Sequence, residues 1–252
     1  MRKEKIRLDE LLLFRKLAAS IEKSRSLILS GSVLINGQKI TKAGIRFQID
    51  SEIRILDSIP TYVSRGALKL KHALKTFDAV VDGKVCIDMG ASTGGFTEVL
   101  LETGAKKVYA FDVGYGQISQ RLRTDGRVIV RDRFNVRNLS LADIDPDGKE
   151  GLFITMDLSF ISLLSVFPAI CKMKNQSPDS KIEIISLIKP QFECKREELS
   201  GGVVINPRIH FRVLRKITGN IRKGFKGRIR GLCDSPIKGA DGNREFFVFW
   251  EI

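Results

Sequence analysis

The stretch KVCIDMGASTGGFT, residues 84–97, decides the fold of this chain. Its apolar beginning reaches Asp88 and then runs into a loop with glycines at positions 90, 94 and 95. Glycines allow a tight turn and let a ligand approach the backbone closely. The loop differs from the dinucleotide pattern G-x-G-x-x-G, because three residues separate Gly90 from Gly94. It also lacks the lysine of a phosphate-binding P-loop. The stretch predicts a strand followed by a turn that binds a ligand.

Further apolar runs follow at residues 106–112, 127–130, 152–157 and 182–188, with helix-compatible sequence between them. This alternation predicts parallel strands with helices on both faces of the sheet. Two last runs, residues 228–233 and 245–252, are separated only by a loop, so they are predicted to be antiparallel neighbours. The expected fold is α/β and Rossmann-like, with a mostly parallel seven-stranded sheet, which is the sheet of many methyltransferases.

The composition and charge of the chain indicate which kind of partner it binds. The chain has 252 residues, a net charge of +14 and a 43% hydrophobic share, which is enough for a real core. Such a basic chain favours a polyanion as partner, nucleic acid first and an anionic membrane surface second. The four cysteines form no CxxC pair, so neither a disulfide framework nor a metal site is expected. No apolar run suits a signal peptide or a membrane span, so a cytoplasmic protein without membrane contact is expected.

An acidic residue after the second strand indicates the ligand. Asp112 follows Asp88 by 24 residues, and an acid about 20 residues on is the usual partner of a ribose hydroxyl. Two acids and a glycine loop without lysine favour a cationic, phosphate-free nucleoside, S-adenosylmethionine (SAM), over NAD. Asp132, after the third strand, is placed to receive the adenine amino group, with simple surface charge as the alternative. The expected cofactor-binding residues are Asp88, Gly90, Ser92, Thr93, Gly94, Gly95, Phe96, Asp112 and Asp132.

Charged residues are predicted to meet at one edge of the sheet. Asp157 ends the fourth strand and Lys189 ends the fifth, and parallel strands end at a shared edge. Glu245 begins the last strand, which runs the other way, so its start lies at the same edge. Each residue alone could be a strand boundary. Their convergence beside the glycine loop predicts an active site.

The first 60 residues form a separate block. A helix is predicted from Leu8, a second over residues 24–31, a tight turn at Asn36-Gly37 and a strand over residues 53–56. The segments RLDELL and SRSLILSGSVLINGQKITKAG resemble the RNA-binding (S4-like) domain of small-subunit ribosomal protein four, a small α+β domain. The predicted domains are residues 1–58 and 62–252. The resemblance implies RNA phosphate contacts, with solvated surface charge as the alternative, at Arg7, Arg15, Lys16, Lys23, Arg25 and Lys42.

The second domain carries its own resemblance. The segments SRGALKL, DMGASTGGFTEVLL, YAFDVGYGQ, MDLSFISL, LIKPQFE, SGGVV and GADGNREFF resemble the TlyA (hemolysin A) family. Members are ribosomal RNA 2′-O-methyltransferases with an FtsJ-like catalytic half. The resemblance implies SAM-dependent methylation of a ribose 2′-hydroxyl, of cytidine in small- or large-subunit RNA. The family's catalytic tetrad carries over to Lys69, Asp157, Lys189 and Glu245. Whether Lys189 takes the proton of the hydroxyl or only orients it stays open.

Residues 208–230 contain nine Lys or Arg and no acid. A helix is predicted from Pro207 onward, with basic residues away from its apolar stripe. Arg208, Arg212 and Lys216, together with Arg65, are expected to contact RNA backbone, and a solvated outer helix is the alternative. The expected partners are ribosomal RNA and ribosomal subunits. The rival functions are a membrane-active cytolysin, a non-catalytic rRNA-binding or assembly factor, and a small-molecule methyltransferase, the last disfavoured by the charge.

Overall fold

The computed structural model describes residues 5–29, 31–55, 62–144, 151–239 and 241–252. The chain divides into two compact units, Met1–Arg65 and Gly66–Ile252. The predicted boundary, between residues 58 and 62, lies outside the described residues except for Tyr62. Each unit has its own apolar core, so each is described by itself.

The first unit packs two short helices on small antiparallel sheets. Its core consists of Leu8, Leu12, Leu27, Ile28, Val33 and Ile35. Asn36 and Gly37 both have positive φ, 49° and 77°, which confirms the predicted two-residue turn between β2 and β3. The pairing of β1 with β4 was not predicted, because three-residue strands with charged ends carry no periodic signal. The elements are β1 Lys5–Arg7, α1 Leu8–Phe14, α2 Ile21–Leu29, β2 Val33–Ile35, β3 Gln38–Ile40, β4 Arg46–Gln48 and β5 Ile53–Ile55.

The second unit is built on a seven-stranded sheet. The elements are α3 Gly66–Phe77, β6 Val85–Met89, α4 Gly95–Glu102, β7 Lys107–Phe111, α5 Gln120–Arg123, β8 Val128–Arg131, β9 Leu152–Met156, α6 Phe167–Gln176, β10 Ile182–Ile188, α7 Pro207–Gly219, β11 Arg228–Asp234 and β12 Phe246–Glu251. The strands lie in the order β11-β12-β10-β9-β6-β7-β8. Strands β6 to β10 are parallel, while β12 is antiparallel to both β10 and β11, as predicted.

The central strands are buried on both faces, which explains their nearly continuous apolar sequence. Ser186 is the polar residue buried in the middle of β10, and Trp250 Nε1 donates a hydrogen bond to its Oγ at 3.2 Å. A buried polar group without a partner costs about 1–3 kcal/mol. This bond therefore lets a serine lie in an otherwise apolar strand.

Strand register decides which residues meet at the carboxyl edge of the parallel strands. Ile188, the last residue of β10, pairs with Phe246, the first residue of β12. The residue after β10 and the residue before β12 are consequently neighbours. β9 lies on the other side of β10 and ends at the same edge. Within the described part of the chain, no helix has the length and apolar character needed to cross a bilayer.

Candidate active site

The first functional feature is a buried ion pair. Lys69, in the first turns of α3, places its Nζ 2.5 Å from Glu245 Oε2. The two side chains are only 11% and 2% exposed. Gly239 leaves room for this carboxylate, because a Cβ at that position would lie 2.5 Å from Glu245 Oε1. Taking two charges out of water is expensive unless they are paired, so each residue requires the other.

A second ion pair lies at the ends of β9 and β10. Lys189 Nζ is 2.6 Å from Asp157 Oδ1, an electrostatic contact rather than an aligned hydrogen bond, and it donates to Ser159 Oγ at 2.9 Å. Asp157 N–H donates to Met89 O at 3.0 Å, which fixes the backbone beside β6. Gly90 has φ +85°, and a Cβ there would lie 2.6 Å from Asp157 O. The glycine is therefore required for this close approach.

Asp88 lies inside the protein. It is completely buried, and its oxygens accept hydrogen bonds from Thr97 Oγ1 at 2.7 Å and Thr155 Oγ1 at 3.0 Å. Burial raises the pKa of Asp88 to about 7, since the charged form loses its water, and the charge of Asp157 acts in the same direction. In this structure Asp88 holds the start of α4 against the sheet.

Asp112 joins the two loops that form the expected cofactor site. Its Oδ2 accepts from Ser92 N at 2.8 Å, and its Oδ1 accepts from Gly114 N at 2.7 Å. Thr93 O accepts from Ser119 N at 3.1 Å, which adds a second link between the loops. A carboxylate has about four acceptor positions, so Asp112 keeps room for further donors.

The other predicted cofactor-binding residues differ in their contacts: some pack against apolar side chains and one forms an ion pair. Gly94 has φ +97°, and a Cβ there would lie 2.3 Å from Leu122 Cδ1, so the turn needs glycine. Gly95 and Phe96 are buried in the first turn of α4, and the Phe96 ring lies 6.4 Å from that of Phe247. Asp132 forms an ion pair with Arg123 at 2.8 Å.

These residues fit SAM as the bound nucleoside. Asp112 offers acceptors for the hydroxyls of a ribose, and the loop presents no lysine to a phosphate. The Oγ atom of Ser119 is buried and has no hydrogen-bond partner among the described residues, which leaves it free for a polar ligand group. Among the described residues, no group of three His, Cys, Asp or Glu side chains could hold a metal ion.

Sequence reasoning missed an exposed aromatic residue beside the second ion pair. Phe160 is 87% exposed, has φ +67°, and contacts Phe192 at a ring-centroid distance of 5.2 Å. Tyr115, 71% exposed, lies under the Arg133 guanidinium at 4.4 Å. Aromatic residues in a sequence usually indicate core, so only their position three residues after Asp157 and Asp112 could have drawn attention to them.

Two of the predicted RNA-contact residues in the first unit, Arg7 and Arg25, are bonded to the same acid. Asp9 is completely buried and accepts from Arg7 Nη2 at 2.9 Å and Arg25 Nε at 3.0 Å. Hydrogen bonding from Arg7 holds the pKa of Asp9 well below its usual range, although burial opposes this. The Arg15 guanidinium donates to Ile49 O at 2.6 Å. Exposed lysines complete the set: Lys16, Lys23 and Lys42.

The remaining basic candidates are Arg65, directly before α3, and Arg208, Arg212 and Lys216 of α7. Arg208 and Arg65 are exposed. Arg212 forms an ion pair with Glu198, and Lys216 lies 3.6 Å from Glu193 Oε2. The inner face of α7 packs Val213, Ile217 and the following Ile221 into the core, as the spacing predicts.

Comparisons with known proteins agree with both halves of this architecture. The model of the FtsJ-like methyltransferase family matches residues 62–251, and that of the S4 domain matches residues 6–53. A Bacillus subtilis protein provisionally named rRNA methyltransferase YqxC is 41% identical over 98% of this chain and 86% of its own length. The 16S/23S rRNA (cytidine-2′-O)-methyltransferase TlyA of Mycobacterium tuberculosis is 40% identical over 96% of this chain and 88% of its own length.

A solved structure shows the same likeness in three dimensions. A Streptococcus thermophilus protein provisionally named a hemolysin is 37% identical, with a TM-score of 0.73 over 98% of this chain and 88% of that one. Because the likeness covers 98% of this chain, it takes in residues of both units. This chain therefore belongs to the FtsJ-like methyltransferases with an N-terminal S4 domain, and within them to the TlyA (hemolysin A) family.

Proposed function

We propose that this chain transfers a methyl group from SAM to a ribose 2′-hydroxyl of ribosomal RNA, with cytidine as the target nucleotide. The observation that carries the proposal is the meeting of two ion pairs, Lys69–Glu245 and Lys189–Asp157, at the sheet edge beside the glycine loop. The TlyA relative is named for this reaction on 16S and 23S rRNA.

The chain's contribution to the reaction centres on Lys189. A ribose hydroxyl is a poor nucleophile until its proton is removed or shared. Lys189 Nζ is held between Asp157 and the exposed Ser159, and the target hydroxyl would approach from this exposed side. It either takes the proton as a neutral amine or, when protonated, holds the oxygen in line by donating a hydrogen bond while the hydroxyl proton passes to solvent. Lys69 and Glu245, buried beside it, keep the strand ends in place.

Asp112 and the glycine loop are proposed to hold the cofactor. SAM supplies a methyl group on a positively charged sulfur. Asp112 would accept the ribose hydroxyls of SAM, while the backbone at Gly90 and Gly94 allows close approach. Asp132 would receive the adenine amino group beside its ion pair with Arg123.

Recognition of RNA is proposed to rest on the S4 domain, on Arg65 directly before α3 and on the basic residues of α7. Because these arginines and lysines would neutralise phosphates, binding should weaken steeply as salt is raised. Phe160, exposed next to Asp157, is placed to stack on a base, and such stacking contributes about 1–3 kcal/mol. The substrate would be RNA in ribosomal subunits in the cytoplasm.

Methyl-labelled SAM and purified ribosomal subunits test the proposal. Wild type should label rRNA, and Lys189→Ala should lower the rate by at least about 100-fold, the usual scale of acid–base assistance. Lys181→Ala is the matched control, because Lys181 flanks the opposite end of β10, where it pairs with Glu251 and Glu183.

Each outcome bears on one part of the proposal. Equal labelling by wild type and Lys189→Ala would remove Lys189 from the chemistry, whereas no labelling by wild type would contradict the function. Salt-sensitive rRNA binding without methylation would support the assembly-factor alternative. Lysis of erythrocytes by both proteins alike would support the cytolysin alternative.

A further inference from the structure

Glu193 is a buried acid that the proposed chemistry does not use. It follows Lys189 by four residues, and its side chain is 1% exposed. Its Oε2 accepts a hydrogen bond from Ser162 Oγ at 2.6 Å, and its Oε1 accepts from Leu163 N at 2.6 Å. Both donors belong to the loop that begins with Asp157. Glu193 therefore connects the loop after β10 to the loop after β9.

The two loops run side by side and are joined at successive points. Lys189 contacts Asp157 at 2.6 Å and Ser159 at 2.9 Å. Phe192 then contacts Phe160, with ring centroids 5.2 Å apart. The bonds of Glu193 close the far end of this double loop. The first contact carries the proposed chemistry, and the last is the most deeply buried.

Helix α7 supplies the counter-charge for Glu193. Lys216 Nζ lies 3.6 Å from Glu193 Oε2 and donates to the backbone oxygen of Glu193 at 3.1 Å. A buried carboxylate persists only when it is paired and hydrogen-bonded. Lys216, expected from the sequence to contact RNA, is thus engaged with the loop that carries Lys189.

We propose that Glu193 is a positioning residue that sets the distance between Lys189 and Asp157 by fixing both loops at their far end. This inference rests on the proposed function, since the two residues it positions are the proposed catalytic ones. Only three residues, in a 3-10 turn at Pro190–Phe192, separate Glu193 from Lys189, and four residues separate Ser162 from Asp157, so a shift at the far end is passed on to both groups. A displacement of about 1 Å at a reacting group can lower a rate by about 100-fold.

The test compares single-turnover methylation by Glu193→Ala, Glu193→Gln and Glu198→Ala. Glu193→Ala should lower the rate about 10- to 100-fold, while Kd for SAM and for rRNA changes less than about twofold. Glu193→Gln should recover most of the rate, because the amide oxygen can accept from Leu163 N and the Ser162 hydroxyl can turn to accept from the amide. Glu198→Ala is the matched control, since Glu198 lies in the same segment of the chain but bonds Arg212 of α7 and the Lys195 N–H rather than the loop of Asp157.

A wild-type rate in Glu193→Ala would overturn the inference, as would an equal loss in Glu198→Ala or no recovery in Glu193→Gln. If Glu193→Ala does not fold, Ser162→Ala removes one of the two bonds and should still lower the rate about threefold or more. An unchanged rate in that variant would also overturn the inference. An inactive wild type contradicts the proposed function instead, so the two failures are distinguishable.

Discussion

Replacement of Asp88 by asparagine should change how the stability of this protein depends on pH. Burial raises the pKa of Asp88 from 3.8 to about 7. The folded protein therefore binds this proton more tightly than the unfolded chain does. Its contribution to stability is fully present below the unfolded pKa and is lost as pH rises through the folded pKa. Asparagine has the same shape but does not titrate.

The size of the pKa shift of Asp88 determines how strongly the free energy of unfolding depends on pH. A difference of about 3 pKa units corresponds to about 4 kcal/mol at full ionisation. Between about pH 5 and about pH 8, the free energy of unfolding of wild type should fall by about 2–3 kcal/mol relative to Asp88→Asn. The amide can be accommodated, because the Thr155 hydroxyl can turn toward Ile87 O at 3.5 Å and accept from the amide nitrogen.

Thermal unfolding of both proteins over this pH range measures the effect. For a domain of this size the relative change corresponds to about 5–10 °C in Tm, with the asparagine variant gaining as pH rises. Buffers of equal ionic strength keep the other charges comparable. A Tm difference between the two proteins that stays constant from about pH 5 to about pH 8 would refute a raised pKa for Asp88.

Two further predictions concern the ion pair and the cofactor loop. Glu245→Gln leaves Lys69 buried without its anion and should lower the free energy of unfolding by about 3–5 kcal/mol, measured by urea denaturation. The double variant Lys69→Met/Glu245→Gln should lose less than that, and an equal loss would contradict the pairing. Asp112→Ala removes acceptors for Ser92 N and Gly114 N and should raise Kd for SAM about 10- to 100-fold by calorimetry. A Kd within about twofold of wild type would exclude Asp112 from the site.

The local pattern of apolar residues was sufficient to predict the sheet of the second unit. Apolar runs of four to eight residues predicted all seven strands of the second unit, and the short loop before β12 predicted its antiparallel direction. The Asn36-Gly37 turn could also be predicted from the sequence, since its conformation depends on those two residues. The short strands β1 and β4 were not predicted, because each is stabilised mainly by pairing with the other across 41 positions.

The sequence by itself determined which charged residues lie at the ends of strands, and so it brought Asp157, Lys189 and Glu245 to one edge. Only the tertiary structure decided how they pair: Lys69 with Glu245 across 176 positions, and Lys189 with Asp157. It also decided that Asp88 is enclosed. The position of a strand follows from local apolar periodicity, and its direction follows from the length of the connection before it. Burial and ion pairing depend on distances between segments far apart in sequence, which no local pattern encodes.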